Sequence, residues 1–184
     1  MFNLTHPPKT GQMADEQFVD ATLADLFSMA IQLEESAQDF YNQLSLLFAG
    51  CPDVADYWRQ YADEEAEHAG WLDKLRKECS PQRLSDPADP FYLVIARELL
   101  SESLEEALGQ VSHLGDAYQL ALQIENSETN AIFNFLVENT ARDKIASEFL
   151  RELVGGHVRR LEHEFPEKFG SHVEQSTIET CRST

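Results

Sequence analysis

Cysteine is scarce in this sequence. Its three cysteines, Cys51, Cys79 and Cys181, are too few and too scattered to predict a disulfide framework or a zinc ribbon. No Cys-x-x-Cys pair occurs, so a pattern that binds iron through thiolates is missing as well. With 184 residues the chain is long enough to bury a core, and we expect that core to hold the fold together.

Positive charge is also scarce. The chain has 14 Lys and Arg against 33 Asp and Glu, a formal net charge of −19. Nucleic acids and anionic membranes both require a positive protein face, so neither is expected as a partner. The acidic surface either only keeps the protein soluble or concentrates cations around it. The second interpretation requires separate evidence for a metal site.

Long apolar runs are absent from the chain. No uninterrupted stretch approaches the roughly 20 residues that a membrane span needs. The opening residues, MFNLTHPPKTGQMADEQ, contain two prolines and no apolar core of the kind found in a secretory signal. We therefore expect a soluble, cytoplasmic protein without a membrane partner.

Helical periodicity fills most of the chain, and its breakers cluster at a few points. The pattern predicts long helices over about 15–49, 53–79, 111–138 and 141–164. A proline-rich linker, SPQRLSDPADP, and one short helix separate the second from the third, whereas the other connections are short. These lengths predict an all-α, ferritin-like four-helix bundle over residues 15–165, with two antiparallel helix pairs joined by a long crossover that contains a short helix. Residues 1–14 and 166–184 are predicted to be flexible ends.

Polar residues interrupt the apolar stripes of the predicted helices near their centres. Steps of three and four residues trace the face that turns toward a bundle axis, and most positions on that face are apolar or aromatic. The polar exceptions, helix by helix, are Glu34, Glu65 with His68, Glu125 with Glu128, and His157. By the same count Glu35 faces outward, while Glu64 and Glu67 fall off the stripe.

This placement of the charged residues requires an explanation. An ionised carboxylate costs several kcal/mol to bury without compensation, so four on facing helices must either be protonated or be held by a cation. Two histidines favour the cation, because neutral imidazole is a ligand for iron, zinc or copper. Each residue alone has an ordinary reading, as a core histidine or a carboxylate at a bundle edge, but their convergence on four helices predicts a metal site. The tyrosines on the same faces, Tyr41, Tyr61 and Tyr118, would pack there or hydrogen-bond a ligand.

Three segments resemble the rubrerythrins, a family of ferritin-like di-iron carboxylate proteins. They are AIQLEESAQDFY at 30–41, ADEEAEHAGWL at 62–72 and ALQIENSE at 121–128. The resemblance covers about residues 15–165 and implies one or two non-haem iron ions, or another divalent metal, bound by Glu34, Glu65, His68, Glu125 and Glu128. It also places Tyr41 beside the ligands. AIQLE at 30–34 recurs as ALQIE at 121–125, so His157 takes the place of His68 in the second half.

Helix four departs from the family pattern. The second Glu-x-x-His of the family needs an acid three residues before His157, and that position is Val154. The nearest acid, Glu152, would point away from the site on a regular helix, and only a π-bulge near Gly155 would turn it inward. Either one tight ion binds near Glu34, Glu65 and His68 with a weak second, or Glu152 completes a two-ion site. We favour the first.

The resemblance implies an iron-dependent oxidoreductase that reduces peroxide or oxidises ferrous iron. Because the rubredoxin module is absent, electrons would come from an external donor, and we expect a homo-oligomer, with a dimer favoured. One alternative is a metal-binding or structural bundle that kept the fold and lost the chemistry. Another is that the tail after Phe165 docks the bundle onto a partner such as a storage shell.

Overall fold

A computed structural model describes residues 21–127, 129–141, 144–170, 177–178 and 181. The side chains at 129, 144–146, 149 and 151–154 are not among those described. The predicted flexible segment 1–14 and the predicted helix start at Asp15 lie outside the described residues, as does Glu128.

Helices form nearly all of the described structure. They are α1 Leu23–Leu47, α2 Pro52–Glu78, α3 Pro81–Leu84, α4 Pro90–Ser101, α5 Leu104–Leu108, α6 Leu114–Glu125, α7 Thr129–Thr140 and α8 Lys144–Phe169. Two isolated bridges, Thr22 with Pro87 and His113 with Thr177, are the only β pairings within the described ranges. None of the helices described is long and apolar enough to cross a membrane.

Two apolar clusters fix the direction of each long helix. The Leu72 cluster contains the start of α1 and the ends of α2 and α7. The Trp58 cluster contains the end of α1, the starts of α2 and α6, and the end of α8. Helix α1 is therefore antiparallel to α2, and the α6–α7 pair is antiparallel to α8.

The crossover spans the length of the bundle, because α2 ends at the Leu72 cluster and α6 begins at the Trp58 cluster. Helix α4 packs on the first cluster through Leu93, and α5 packs on the second through Leu108. The prediction of a ferritin-like bundle with a long crossover is confirmed. The crossover carries three short helices where the sequence predicted one.

The predicted third helix is interrupted directly after Glu125. The apolar pattern continues across the break, but the amide of Asn126 donates to the carbonyl of Leu122 (2.9 Å) and that of Asn130 donates to the carbonyl of Glu125 (2.6 Å). Side chains that satisfy backbone carbonyls in this way compete with helix continuation. These two bonds lie at the break, and Glu125 is the last residue of α6.

The predicted end of the fourth helix at Glu164 was wrong. Helix α8 continues through Pro166 to Phe169. A proline inside a helix costs about 3 kcal/mol, but Phe165 and Phe169, on either side of it, are 0% and 4% exposed. Burial of two phenylalanines contributes roughly 1.5–3 kcal/mol each, which offsets that cost.

Part of the C-terminal segment packs on the bundle. Cys181 is fully buried and forms a disulfide with Cys51, the residue that precedes α2, and Ile178 packs on the Trp58 cluster. The scattered spacing of the cysteines therefore did not preclude one cross-link, because the fold brings together residues 130 positions apart. Cys79 is a free thiol.

Candidate metal centre

Five of the predicted ligands meet in the middle of the bundle. Glu34, Glu65, His68, Glu125 and His157 are each between 3% and 5% exposed. Along α1, α2, the α6–α7 pair and α8, they fall between the residues of the Trp58 cluster and those of the Leu72 cluster. The structure thus brings these five side chains together, and their role as metal ligands stays a prediction.

Small residues leave the space that these side chains occupy. Ala30 and Ala37 lie one turn before and after Glu34, and Ala62 and Ala69 do the same for Glu65. Ala121 lies one turn before Glu125, and all five alanines are buried. Larger apolar residues resume only above and below, where they form the two clusters. The sequence therefore builds a polar layer inside an apolar bundle.

Glu65 lies between the two histidines. Its Oε2 is 2.9 Å from Nδ1 of His68, which is one turn along α2, and its Oε1 is 3.2 Å from Nδ1 of His157 on α8. The two imidazole rings are 4.7 Å apart between centroids. A carboxylate that contacts one histidine with each oxygen can bind two adjacent cations, one with each oxygen, or a single cation between them.

Glu34 and Glu125 flank this core on opposite sides. Oε2 of Glu34 is 3.6 Å from Nδ1 of His68, and Oε2 of Glu125 is 3.7 Å from Nδ1 of His157. The hydroxyl of Tyr41 donates a hydrogen bond to Oε1 of Glu125 at 2.6 Å, which fixes that carboxylate and agrees with the predicted place of Tyr41 beside the ligands. The centre therefore consists of two similar halves that share Glu65.

Burial and pairing set the charges of the centre. Burial raises the pKa of Glu34 to about 8, with the Glu65 charge adding to the effect. For His68 and His157 burial lowers the pKa, but hydrogen bonds with the surrounding carboxylates outweigh it and raise the pKa to about 9 and about 12. Burial would raise the pKa of Glu65, but the two histidines hold it well below its usual range. At neutral pH, protons on the histidines thus balance the carboxylates of the metal-free centre.

The donor set fits a divalent cation. Glu65, His68 and His157 each offer one ligand atom, and these atoms lie within 4.8 Å of one another. Carboxylate oxygen together with imidazole nitrogen suits iron, zinc and manganese. A cation would also replace the protons that now neutralise the buried carboxylates.

A charged pair outside the centre holds the far side of His157. Nε2 of His157 contacts the carboxylate of Glu64, and Glu64 in turn accepts hydrogen bonds from both terminal nitrogens of Arg160, with Nη1 at 2.6 Å. A carboxylate on one nitrogen of a histidine fixes the ring and leaves the other nitrogen for a metal. The contacts with His157 and Arg160 outweigh partial burial and lower the pKa of Glu64 to about 2, so it is ionised.

Sequence reasoning missed this role of Glu64. Counting along the helix stripes placed it off the inner face, as it did Glu35 and Glu67. Those two side chains are indeed exposed, whereas Glu64 is partly buried. The available signal was on α8, where Arg160 lies three residues after His157 and shares its helix face. An arginine beside a buried histidine indicates a carboxylate partner on the facing helix.

The remaining predicted ligands are not placed. Glu128 lies outside the described residues, and the side chains of Glu152 and Val154 are not described. The backbone of α8 is α-helical from Lys144 to Phe169, so the π-bulge that would turn Glu152 inward is not present.

The rubrerythrin family model matches residues 25–154, a stretch of 130 residues in a chain of 184. The match contains Glu34, Glu65, His68 and Glu125 and ends three residues before His157. No curated protein and no solved structure matches the chain significantly. The match covers well over half of the chain and agrees with the bundle and its buried Glu and His group, and the chain belongs to the rubrerythrin family.

Proposed function

We propose that this protein is a rubrerythrin-type oxidoreductase, which uses non-haem iron to reduce peroxide or to oxidise ferrous iron. The observation that carries the proposal is the position of Glu65 between His68 and His157, with Glu34 and Glu125 on the outer sides. Membership of the rubrerythrin family supports iron as the metal.

Each half of the centre would hold iron with its own residues. Glu34 and His68 would serve one half and Glu125 and His157 the other, with Glu65 common to both. Iron bound there would supply the redox chemistry and polarise a bound oxygen atom. The protein would keep Glu125 in place through the hydroxyl of Tyr41.

The two halves differ in the helix that carries the histidine: Glu65 lies three residues before His68 on α2, whereas Val154 lies three residues before His157 on α8. Val154 stands where the family pattern has a second shared carboxylate, and α8 is a regular helix at that point. We therefore propose one tightly bound ion and a second, weaker one. Anaerobic titration with ferrous iron should show two unequal steps, and Val154→Glu should tighten the weaker one.

Turnover would require partners. Reduction of a peroxide consumes two electrons, so a separate electron-donor protein is part of the proposal. A homodimer completes it.

The test combines metal content with turnover. Protein from iron-replete cells should contain iron and consume hydrogen peroxide when a chemical reductant is supplied. Glu65→Ala should lose both properties, because it removes the carboxylate that both histidines contact. The exposed residue Asp63 provides the matched control, since Asp63→Ala also removes one negative charge from the same helix. Parent protein that carries no metal in the centre would overturn the proposal.

The second candidate function is metal binding without turnover. Val154 favours it, because a site that lacks a shared carboxylate has less negative charge to stabilise a pair of oxidised ions. In that case the parent would bind iron as described, but peroxide consumption would not exceed that of Glu65→Ala.

A further inference from the structure

A cavity of about 240 Å³ lies directly against the carboxylates of the centre. It is bounded by α1, by α6 and by the junction of α4 and α5 in the crossover. Glu34, Glu65 and Glu125 line its inner end. Anything bound in this cavity would therefore touch the side of the centre on which the carboxylates lie.

The walls of the cavity combine apolar and polar side chains. The apolar part comes from all three boundaries and includes Leu33, Phe40, Leu100, Leu104, Leu120 and Ile124, and the uncharged polar part consists of Ser36, Gln43, Gln123, Ser127 and Asn130. Leu33 and Phe40 are buried, and Leu100 and Leu104 come from the crossover, which covers the gap between α1 and α6. A hydrocarbon group would gain by leaving water for the apolar part of these walls.

The size of the cavity exceeds what hydrogen peroxide needs. An enclosed apolar cavity of about 150 Å³ is large enough to bind benzene, and drug-sized ligands occupy about 300 Å³ or more. The cavity at 240 Å³ lies between these values. It therefore suits an organic molecule of about the size of a substituted benzene.

Charge restricts the ligand further. Carboxylates line both ends of the cavity: Glu34, Glu65 and Glu125 inside, and the exposed Asp39 and Glu102 at its mouth. Among the described residues that line it, none is lysine, arginine or histidine. The cavity therefore offers the charged end of an anion such as a fatty acid no cationic partner, so the ligand should be neutral.

Entry of metal ions does not require this cavity. A second opening of about 590 Å³ lies on the other side of the centre, between α2 and α8. It reaches His68 and His157 directly and is lined by charged groups that include Glu67, Arg159 and Glu164. A cleft lined by charged groups suits ions and water, which leaves the first cavity for a different molecule.

We propose that the cavity beside Leu33 and Phe40 binds a neutral organic hydroperoxide and presents its O–O bond to the centre. The proposal rests on the proposed peroxide reduction and names a substrate class for it. In the reaction the O–O bond breaks, two electrons from the external donor protein and two protons are consumed, and the products are one alcohol and one water. The organic group would lie along the leucine walls, with its oxygens toward Glu34 and Glu125.

Ala37 provides the sharpest test of this arrangement. It is buried, lines the cavity and lies one turn after Glu34 on α1. Ala37→Leu should lower the ratio of kcat/KM for cumene hydroperoxide to that for hydrogen peroxide by about tenfold or more, as expected when a pocket loses the room for a few methylenes. In the control, Leu46→Ala, on an α1 side chain that is 74% exposed, the ratio should not change. An unchanged ratio in Ala37→Leu would overturn the proposal.

A binding measurement tests the cavity without turnover. The product alcohol, 2-phenyl-2-propanol, should bind metal-free protein in ligand-observed NMR and bind several-fold more weakly to Leu100→Ala, which removes wall contacts without adding bulk. No binding to the parent, or equal binding to the variant, would overturn the proposal. If hydrogen peroxide is reduced and cumene hydroperoxide is not, this inference fails and the proposed function stands. If neither is reduced, the proposed function fails, and the substrate role proposed for the cavity fails as well.

Discussion

Replacing Glu64 tests whether the charged pair outside the centre prepares His157 for metal binding. Glu64→Gln keeps the shape of the side chain but removes the charge that contacts Nε2 of His157 and accepts from Arg160. Loss of such a partner typically weakens metal affinity by 10- to 100-fold. Because the Glu64 side chain is 31% exposed, water can replace part of the contact, so we expect about 10- to 30-fold, or roughly 1.4–2 kcal/mol.

The assay is an anaerobic competition titration of ferrous iron against a coloured chelator. Asp63→Asn is the matched control, since it removes one negative charge from the preceding, exposed residue of the same helix. If Glu64 acts by holding the ring, only Glu64→Gln should weaken binding, and adding Arg160→Gln should cost little more because both act through one contact. Equal affinity in Glu64→Gln and the parent would refute this reasoning, and equal losses in Glu64→Gln and Asp63→Asn would reduce it to a general charge effect.

Three further predictions concern stability and pH. Ferrous iron at about 100 times its Kd should stabilise the parent by about 2.7 kcal/mol, measured as a rise in Tm. The double variant Glu65→Ala with Glu125→Ala should show no such rise. A similar rise in the parent and the double variant would show that iron binds elsewhere. Burial lowers the pKa of His68, but its carboxylate partners outweigh burial and raise it to about 9, so iron must displace a proton from it. Calorimetry should find affinity rising with pH below pH 9, by about tenfold per unit for each proton displaced, and a flat profile from pH 6 to 8 would contradict this. In the metal-free protein the raised pKa of His68 also stabilises the folded state. This contribution is fully present below the ordinary pKa of 6.5 and is lost as pH rises through about 9. Cys51→Ser, Cys181→Ser or reduction should each lower the free energy of unfolding by about 2–5 kcal/mol, measured by urea unfolding, and an unchanged midpoint would show that the disulfide does not stabilise the fold.

The sequence was sufficient to predict the bundle because two of its features agree, the apolar periodicity of the helices and the lengths of the connections. Apolar residues recur on one face of each long helix, and the long segment after α2 requires a crossover. The same stripes led to Glu34, Glu65, His68, Glu125 and His157, since a charged residue within an apolar stripe has to lie inside the bundle. These features depend on positions within a single helix, which the sequence displays directly.

Features that depend on contacts between helices were harder to predict. The role of Glu64 requires knowing which part of α8 faces it, and the Cys51–Cys181 disulfide requires the C-terminal segment to return to the start of α2. The break after Glu125 was missed because the apolar pattern continues across it, whereas the side-chain amides of Asn126 and Asn130 bond backbone carbonyls at that point. In each case the deciding partner lies outside the stripe on which the prediction was based.

The centre itself is tested most directly by locating the metal. Crystals of the protein loaded anaerobically with ferrous iron should give an anomalous difference map, measured at the iron absorption edge, with its strongest peak among the side chains of Glu65, His68 and His157. A weaker second peak beside the first would agree with the unequal halves of the centre. A map whose peaks lie only on the acidic surface, with none beside Glu65, would contradict the account.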